Sequence, residues 1–201
     1  MSAQSPTRER ILLAAAALFA QQGFHRTTTR QIADAVGIRQ PSLFHHFSSK
    51  GAIAAAILDW DLGRALPRVH EIARQPESAG VRLYRYLQLD VRHLTSAPYN
   101  LSAVYNEEVI GSPEFATWAG QRNELHDVVE AIVAEGIAAG EFIEIDPPLV
   151  REAIAGILVR ALTLHSGGRG EGGRLADQVA LLMVRALLKD PSCIEQIQAA
   201  G

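Results

Sequence analysis

The segment Thr27–Lys50 concentrates side chains that can hydrogen-bond to the edges of DNA bases. Gln40 can bond bidentately to adenine, and Arg30 can do the same to O6 and N7 of guanine. Pro41 offers an apolar face to a thymine methyl group, and the hydroxyl of Ser42 can serve several bases. The chemistry of this segment is therefore recognition of DNA, provided that a scaffold presents these side chains together.

The same segment predicts such a scaffold, in the form of two short helices separated by a sharp turn. Thr28 or Thr29 can cap the first helix, and Pro41 suits the first turn of the second. Gly37 can adopt the left-handed conformation that the turn needs, and the small Ala33 lets the two helices cross closely. The apolar residues that a helix-turn-helix would bury are Ile32, Val36, Ile38 and Leu43.

The rest of the chain of 201 residues also reads as helices, because no apolar–polar alternation is long enough for a sheet. Ser48 or Ser49 is expected to cap a long fourth helix that runs to about Leu66 and ends before Pro67. The prediction is an all-α fold of about nine helices. Residues 1–50 form a three-helix DNA-binding head, and residues 51–201 form a second, helical domain.

The charge is divided unevenly between these two parts. Residues 1–50 carry six Lys or Arg and two Asp or Glu, whereas residues 51–201 carry thirteen and twenty. A basic head on an acidic body indicates that only the head meets a polyanion. The single cysteine, Cys193, excludes an internal disulfide framework and fits a reducing compartment.

Other function classes find little support in the sequence. No apolar run reaches the roughly 18 residues of a membrane helix, so no membrane partner is expected. The chain lacks the G-x-S-x-G, H-E-x-x-H and Walker patterns, which argues against an enzyme. The adjacent His45 and His46 point about 100° apart on a helix and have no third ligand nearby, so no metal site is expected. No cofactor is expected either, apart from an unidentified small-molecule effector.

From Arg10 to Ile57 the sequence resembles the tetracycline-repressor (TetR) family of bacterial transcriptional regulators. The strings that carry the resemblance are AAAALFAQQGF, TTTRQIADAVGI and SLFHHFSSK. The resemblance implies a set of DNA-facing residues, to which the flanking Arg39 is added: Thr28, Thr29, Arg30, Gln40, Pro41, Ser42, Phe44, His45, His46 and Lys50.

Three of these positions depart from the family pattern. Most relatives have Tyr where this chain has Phe44, so a hydroxyl contact to phosphate is lost or Phe44 packs inward. Many relatives have Gly or Ala at the position of Pro41. Arg39 stands where the tetracycline repressor has an acidic residue and makes the surface more basic, so an identical operator is not implied.

Beyond residue 60 the resemblance is limited to the number and length of helices. It implies a body that binds a small-molecule effector and forms a homodimer through its last two long helices. The expected effector-pocket residues are Tyr84, His93, Tyr105, Asn106, Trp118 and His126. The expected dimer-interface residues are Ile154, Ile157, Leu158, Ala161, Leu162, Val179, Leu182, Met183 and Ala186.

The combined prediction is a cytoplasmic homodimer that represses transcription from a palindromic operator until an effector releases it. The fourth helix, which joins head and body, is expected to transmit the effect. A helical interaction module without DNA binding remains the alternative from another class, with an enzyme less favoured.

Overall fold

The computed structural model describes residues 6–101, 104–164 and 172–201. Within these residues the chain forms ten α-helices and two short 3-10 helices. These residues contain no β-strand, and their one β-type pairing is an isolated bridge between Phe142 and Leu188. The all-α prediction is confirmed. The helices are α1 (Pro6–Gln22), α2 (Thr29–Val36), α3 (Gln40–Phe44), α4 (Lys50–Ala73), α5 (Ala79–Ser96), α6 (Glu107–Ile110), α7 (Ala116–Ala138), α8 (Pro147–Leu164), α9 (Gly172–Leu187) and α10 (Ile194–Ala200).

The chain divides into two compact units that interleave along the sequence. The first unit comprises Met1–Arg64 and Ala97–Gly120, and the second comprises Ala65–Ser96 and Gln121–Gly201. The first unit therefore contains α1 to α3, the first part of α4, α6 and the start of α7. The predicted boundary after residue 50 is a different division of the chain, and it stays a prediction.

In the first unit, α1 buries one face, formed by Ile11, Leu12, Ala15, Ala16 and Phe19. The spacing of three or four residues places these side chains on a single stripe. Phe19 contacts Phe24, with 5.1 Å between ring centroids, just after Gly23 ends the helix with a φ of +88°. This stripe is the surface on which α2 packs.

The fourth helix does not end at Pro67 but continues to Ala73, so that sequence expectation is wrong. Proline removes one backbone N–H and crowds the carbonyl of residue 63. Residue 63 is an exposed glycine at which an added Cβ would meet nothing within 4 Å, and the turns after Pro67 bury Val69 and Ile72. Burial of these two side chains offsets the lost hydrogen bond.

In the second unit, α5 is the central helix and packs mainly against α9. The segment that follows α7 is fastened to the end of α9 by two backbone hydrogen bonds: Ile143 N–H donates to the Leu187 carbonyl, and Lys189 N–H donates to that of Glu141. Phe142 is fully buried between these bonds. A Cβ atom on Gly136 would lie 2.2 Å from the Phe142 ring, so only glycine fits there.

Candidate nucleic-acid interface

The turn between α2 and α3 forms as the sequence predicts. Thr28 is the N-cap of α2, and its hydroxyl accepts the N–H of Gln31 while the Gln31 carboxamide oxygen accepts the N–H of Thr28. At the other end, Gly37 has a φ of +75°, which allows Ile38 N–H to bond back to the Ala33 carbonyl. Ala33 is 1% exposed, so a larger side chain would separate the two helices.

The apolar positions of the helix-turn-helix close its core. Ile32, Val36 and Leu43 are buried, whereas Ile38 is half-buried. Phe47 is also buried, and the Arg8 guanidinium lies 4.8 Å from its ring centroid. Phe44 is 45% exposed, so it does not pack inward, and its ring lies on the surface.

The predicted DNA-facing side chains lie at the surface of the first unit. Thr28, Arg30, Arg39, Pro41, Ser42, Phe44 and His45 are exposed, and Thr29, Gln40, His46 and Lys50 are half-buried. The Gln40 amide donates to the Thr29 hydroxyl over 2.9 Å, which holds the start of α3 against the start of α2. Neither Arg30 nor Arg39 has a side-chain partner among the described residues, so both guanidiniums are available to an anion.

Lys50 differs from the other predicted contacts, because its ammonium is already bonded. It donates to the backbone carbonyls of Phe24, Thr27 and His25 at 2.6, 2.8 and 3.3 Å, and it lies 4.3 Å from the Phe24 ring centroid. Burial lowers the pKa of the Lys50 ammonium, and the Glu114 carboxylate partly offsets that effect. An ammonium has three N–H donors, so a phosphate contact would have to replace one of these bonds.

The first unit contains a second set of contacts that the sequence analysis did not predict. Phe115, in the segment Ala97–Gly120, packs against the helix-turn-helix head, with 5.9 Å between the centroids of its ring and that of Phe24. Two carboxylates of α4 hold the same segment: Asp61 accepts the hydroxyl of Tyr105, and Asp59 accepts the indole N–H of Trp118 over 2.8 Å. No local pattern signals these pairs, because their members lie 44 or more residues apart.

The six predicted effector-pocket residues are divided between the two units. Tyr105, Asn106 and Trp118 belong to the first unit. Tyr84, His93 and His126 belong to the second, where Tyr84 and His93 are buried and His126 is half-buried. Asn106 caps α6, since its side chain accepts the N–H of Glu108. A shared pocket formed by all six stays a prediction.

The predicted dimer-interface residues fall into two groups, one buried within the chain and one exposed to solvent. Ile154, Leu158, Val179 and Met183 are buried within the chain's own core, and Ile157 is half-buried. Leu182 is 61% exposed, and Ala186, one turn later on α9, is exposed as well. Ala161 and Leu162 lie outside the residues whose side chains the structure describes. Val159 on α8 is a further exposed apolar residue that the sequence analysis did not select.

The described residues offer neither a metal site nor a membrane-spanning helix. They contain no group of three or more His, Cys, Asp or Glu that could hold a metal ion. Among the described helices, none combines the length and the apolar character that crossing a bilayer requires.

A helix-turn-helix that exposes unpaired arginines, within a chain that is otherwise helical, defines a DNA-binding regulator. Two family profiles match: "Bacterial regulatory proteins, tetR family" over residues 11–57, and "Tetracyclin repressor-like, C-terminal domain" over residues 77–187. The chain belongs to the TetR family, and it is a DNA-binding transcriptional regulator.

Individual relatives agree with this assignment. The transcriptional repressor KstR2 of Mycolicibacterium smegmatis is 30% identical over 141 residues, which are 67% of each chain. The crystal structure of Mycobacterium smegmatis AmtR has a TM-score of 0.78 at 28% identity, covering 100% of this chain and 95% of AmtR. AibR, solved with isovaleryl coenzyme A and operator DNA, shares the fold at 19% identity, with a TM-score of 0.70 and coverage of 90% and 98%.

Proposed function

We propose that two copies of this chain bind a palindromic operator and repress transcription, and that a small-molecule effector releases them. The observation that carries the DNA-binding surface is the arrangement at the start of α2 and α3. There Gln40 and Thr29 are joined by a hydrogen bond, and Arg30 and Arg39 are exposed without partners. On this proposal α3 enters the major groove with Gln40, Pro41 and Ser42 toward the bases.

A homodimer follows from the amount of sequence that one head can read. A five-residue recognition helix touches too few base pairs for useful specificity, whereas two heads about 34–36 Å apart read two half-sites. The exposed apolar residues Leu182 and Ala186 of α9, with Val159 of α8, are the proposed contact surface. Exposed apolar side chains of this kind are stabilised by burial against a copy of the same surface.

We further propose that effector binding shifts the population toward a form in which the two heads no longer match the operator spacing. The helix α4 supplies Lys50–Arg64 to the first unit and Ala65–Ala73 to the second, so a change in either unit reaches residues of the same helix. AibR, which was solved with both ligands, supports an effector as well as an operator for this chain. The role is regulatory rather than catalytic, as in the relatives, and is carried out in the cytoplasm where the operator lies.

The test begins with selection of bound sequences from random duplex DNA by the full-length protein at a stated salt concentration. A palindromic motif is the expected result, and the absence of enrichment by a folded dimer would contradict the proposal. The variants Arg30→Ala and Gln40→Ala are expected to weaken operator binding at least about tenfold and to relax the preference at one base position each. Arg74→Ala, which removes an exposed arginine of the second unit, is the matched control.

A further inference from the structure

The second unit contains a groove that includes one predicted effector-pocket residue, His93, and is otherwise lined by residues that the sequence analysis did not select. It has a volume of about 530 Å³ and lies along one face of α5, with two residues of α4 on its other side. This volume is within the range of small-molecule sites. The residues that line it are Arg68, Ile72, Arg85, Gln88, Leu89, Arg92, His93 and Ser96.

The lining combines positive charge with an apolar floor. Three arginines line the groove, and none of its eight residues is acidic. Ile72 is buried and Leu89 is half-buried, and these two side chains are the apolar floor of the groove; His93, which also lines it, is buried as well. An arrangement of guanidiniums above aliphatic carbon suits a ligand with an anionic head and an apolar chain.

Two of the three arginines are held in place by groups outside the lining. Arg85 donates to Gln75, Glu77 and the Ala200 carbonyl at 2.6, 2.8 and 2.5 Å. Arg92 donates to Asp177 over 3.0 Å. These bonds fix the guanidiniums before a ligand arrives, which reduces the entropy lost on binding. They also neutralise part of the charge of both arginines.

Arg68 is different, because it is exposed and its side chain has no partner among the described residues. It lies on α4, one turn before Ile72, and so places an uncompensated charge next to the apolar floor. A guanidinium can bind a carboxylate or a phosphate through two parallel hydrogen bonds. Arg68 is therefore the lining residue with which a bound anion would interact most strongly.

We propose that this groove binds a small amphipathic anion, that is, an apolar chain ending in a carboxylate or a phosphate, with the head at Arg68 and the chain on Ile72 and Leu89. We also propose that such a ligand is the effector, and this second statement rests on the proposed function. Binding in the groove itself does not depend on DNA.

The test uses isothermal titration calorimetry on the full-length protein with four probes: octanoate, octyl phosphate, octanol and inorganic phosphate. Octanoate or octyl phosphate is expected to bind, and the tighter of the two identifies the head group. Octanol and inorganic phosphate, which each lack half of the ligand, are expected to bind at least about tenfold more weakly. Equal binding of octanol would overturn recognition of the anion, and equal binding of inorganic phosphate would overturn the role of the apolar floor.

The variant Arg68→Gln is expected to weaken the anionic probe about tenfold and to leave octanol unchanged. Tenfold corresponds to about 1.4 kcal/mol, slightly less than a hydrogen bond to a charged group contributes in proteins. Arg74→Gln removes an exposed charge from the same unit outside the groove and is the matched control. No change in Arg68→Gln, or an equal loss in both variants, would overturn the site.

Operator binding measured in the same samples separates the two statements. Release of the operator duplex by the anionic probe, lost in Arg68→Gln, is expected if the ligand is the effector. Binding of the probe with no change in operator affinity would leave the groove in place and overturn its role as the effector site. A protein that binds the probe but selects no DNA sequence would contradict the proposed function without affecting the groove.

Discussion

Replacement of Lys50 by methionine is expected to destabilise the first unit by about 2 kcal/mol. Methionine keeps an unbranched apolar chain but removes the ammonium that bonds to the carbonyls of Phe24 and Thr27 at 2.6 and 2.8 Å. Two such bonds contribute about 1 kcal/mol each after exchange with water, and the ammonium–ring contact with Phe24 adds about 0.5–1 kcal/mol. The burial that lowers the Lys50 pKa offsets part of this sum.

Urea unfolding of the full-length protein measures this loss as a change in the free energy of unfolding. Arg39→Met is the control, because it removes a positive charge from the same unit at an exposed position without a partner. Arg39→Met is expected to change the free energy of unfolding by less than about 0.5 kcal/mol.

The salt dependence of operator binding then tests whether Lys50 also contacts phosphate. The slope of log K against log salt concentration is negative, and each lost phosphate contact reduces its magnitude by about 0.9. Because the three N–H donors of Lys50 are already used, the slope of Lys50→Met is expected to match that of the unmodified protein. Unchanged stability together with a reduced slope would refute this reasoning and assign Lys50 to the DNA.

Three further substitutions have expected outcomes. Gly37→Ala places a Cβ at a φ of +75° and is expected to lower the free energy of unfolding, measured by thermal unfolding, by about 1 kcal/mol. An unchanged free energy of unfolding would contradict the need for glycine at this turn. Gly136→Ala would force the buried Phe142 ring to move and is expected to cost about 1–3 kcal/mol, whereas Gly120→Ala on the same helix, where a Cβ meets open space, should be neutral or stabilising. Burial lowers the pKa of His126, and the guanidiniums of Arg122 and Arg151 lower it further, so the unfolded chain binds this proton more readily than the folded one. Stability is therefore expected to fall as the pH drops below about 6.5, and His126→Gln should lose less stability than the unmodified protein between pH 7.5 and 5.5; parallel pH profiles would contradict this.

The features that the sequence predicts correctly are those that a few neighbouring residues determine. The cap at Thr28, the left-handed turn at Gly37 and the close crossing at Ala33 each depend on chemistry within about ten residues. The exposure of Arg30 follows from the same helical periodicity that buries Ile32 and Val36. The caps, the turn and most of the buried positions of the helix-turn-helix could therefore be predicted from the sequence.

The features that could not be predicted depend on partners distant in the sequence. Pro67 stays within α4 because Val69 and Ile72 are buried in the core of the second unit, which no local rule can weigh. The ammonium of Lys50 bonds to carbonyls 23 to 26 residues earlier in the chain. Helical periodicity likewise does not say which faces meet, so residues expected in one pocket, such as Trp118 and His126, belong to different units.

The packing of residues 97–120 with the head has a consequence for exchanging parts between relatives. A chimera that transfers only residues 11–57, the extent of the head profile, would place Phe24 against a foreign residue at the position of Phe115. It would also leave behind Asp59 and Asp61, together with Trp118 and Tyr105, which these carboxylates hold. The part of the chain that would have to be transferred together with the DNA-binding head is therefore discontinuous in sequence. Breakpoints after Arg64 and at the two ends of Ala97–Gly120 would move the head together with the segment that packs against it.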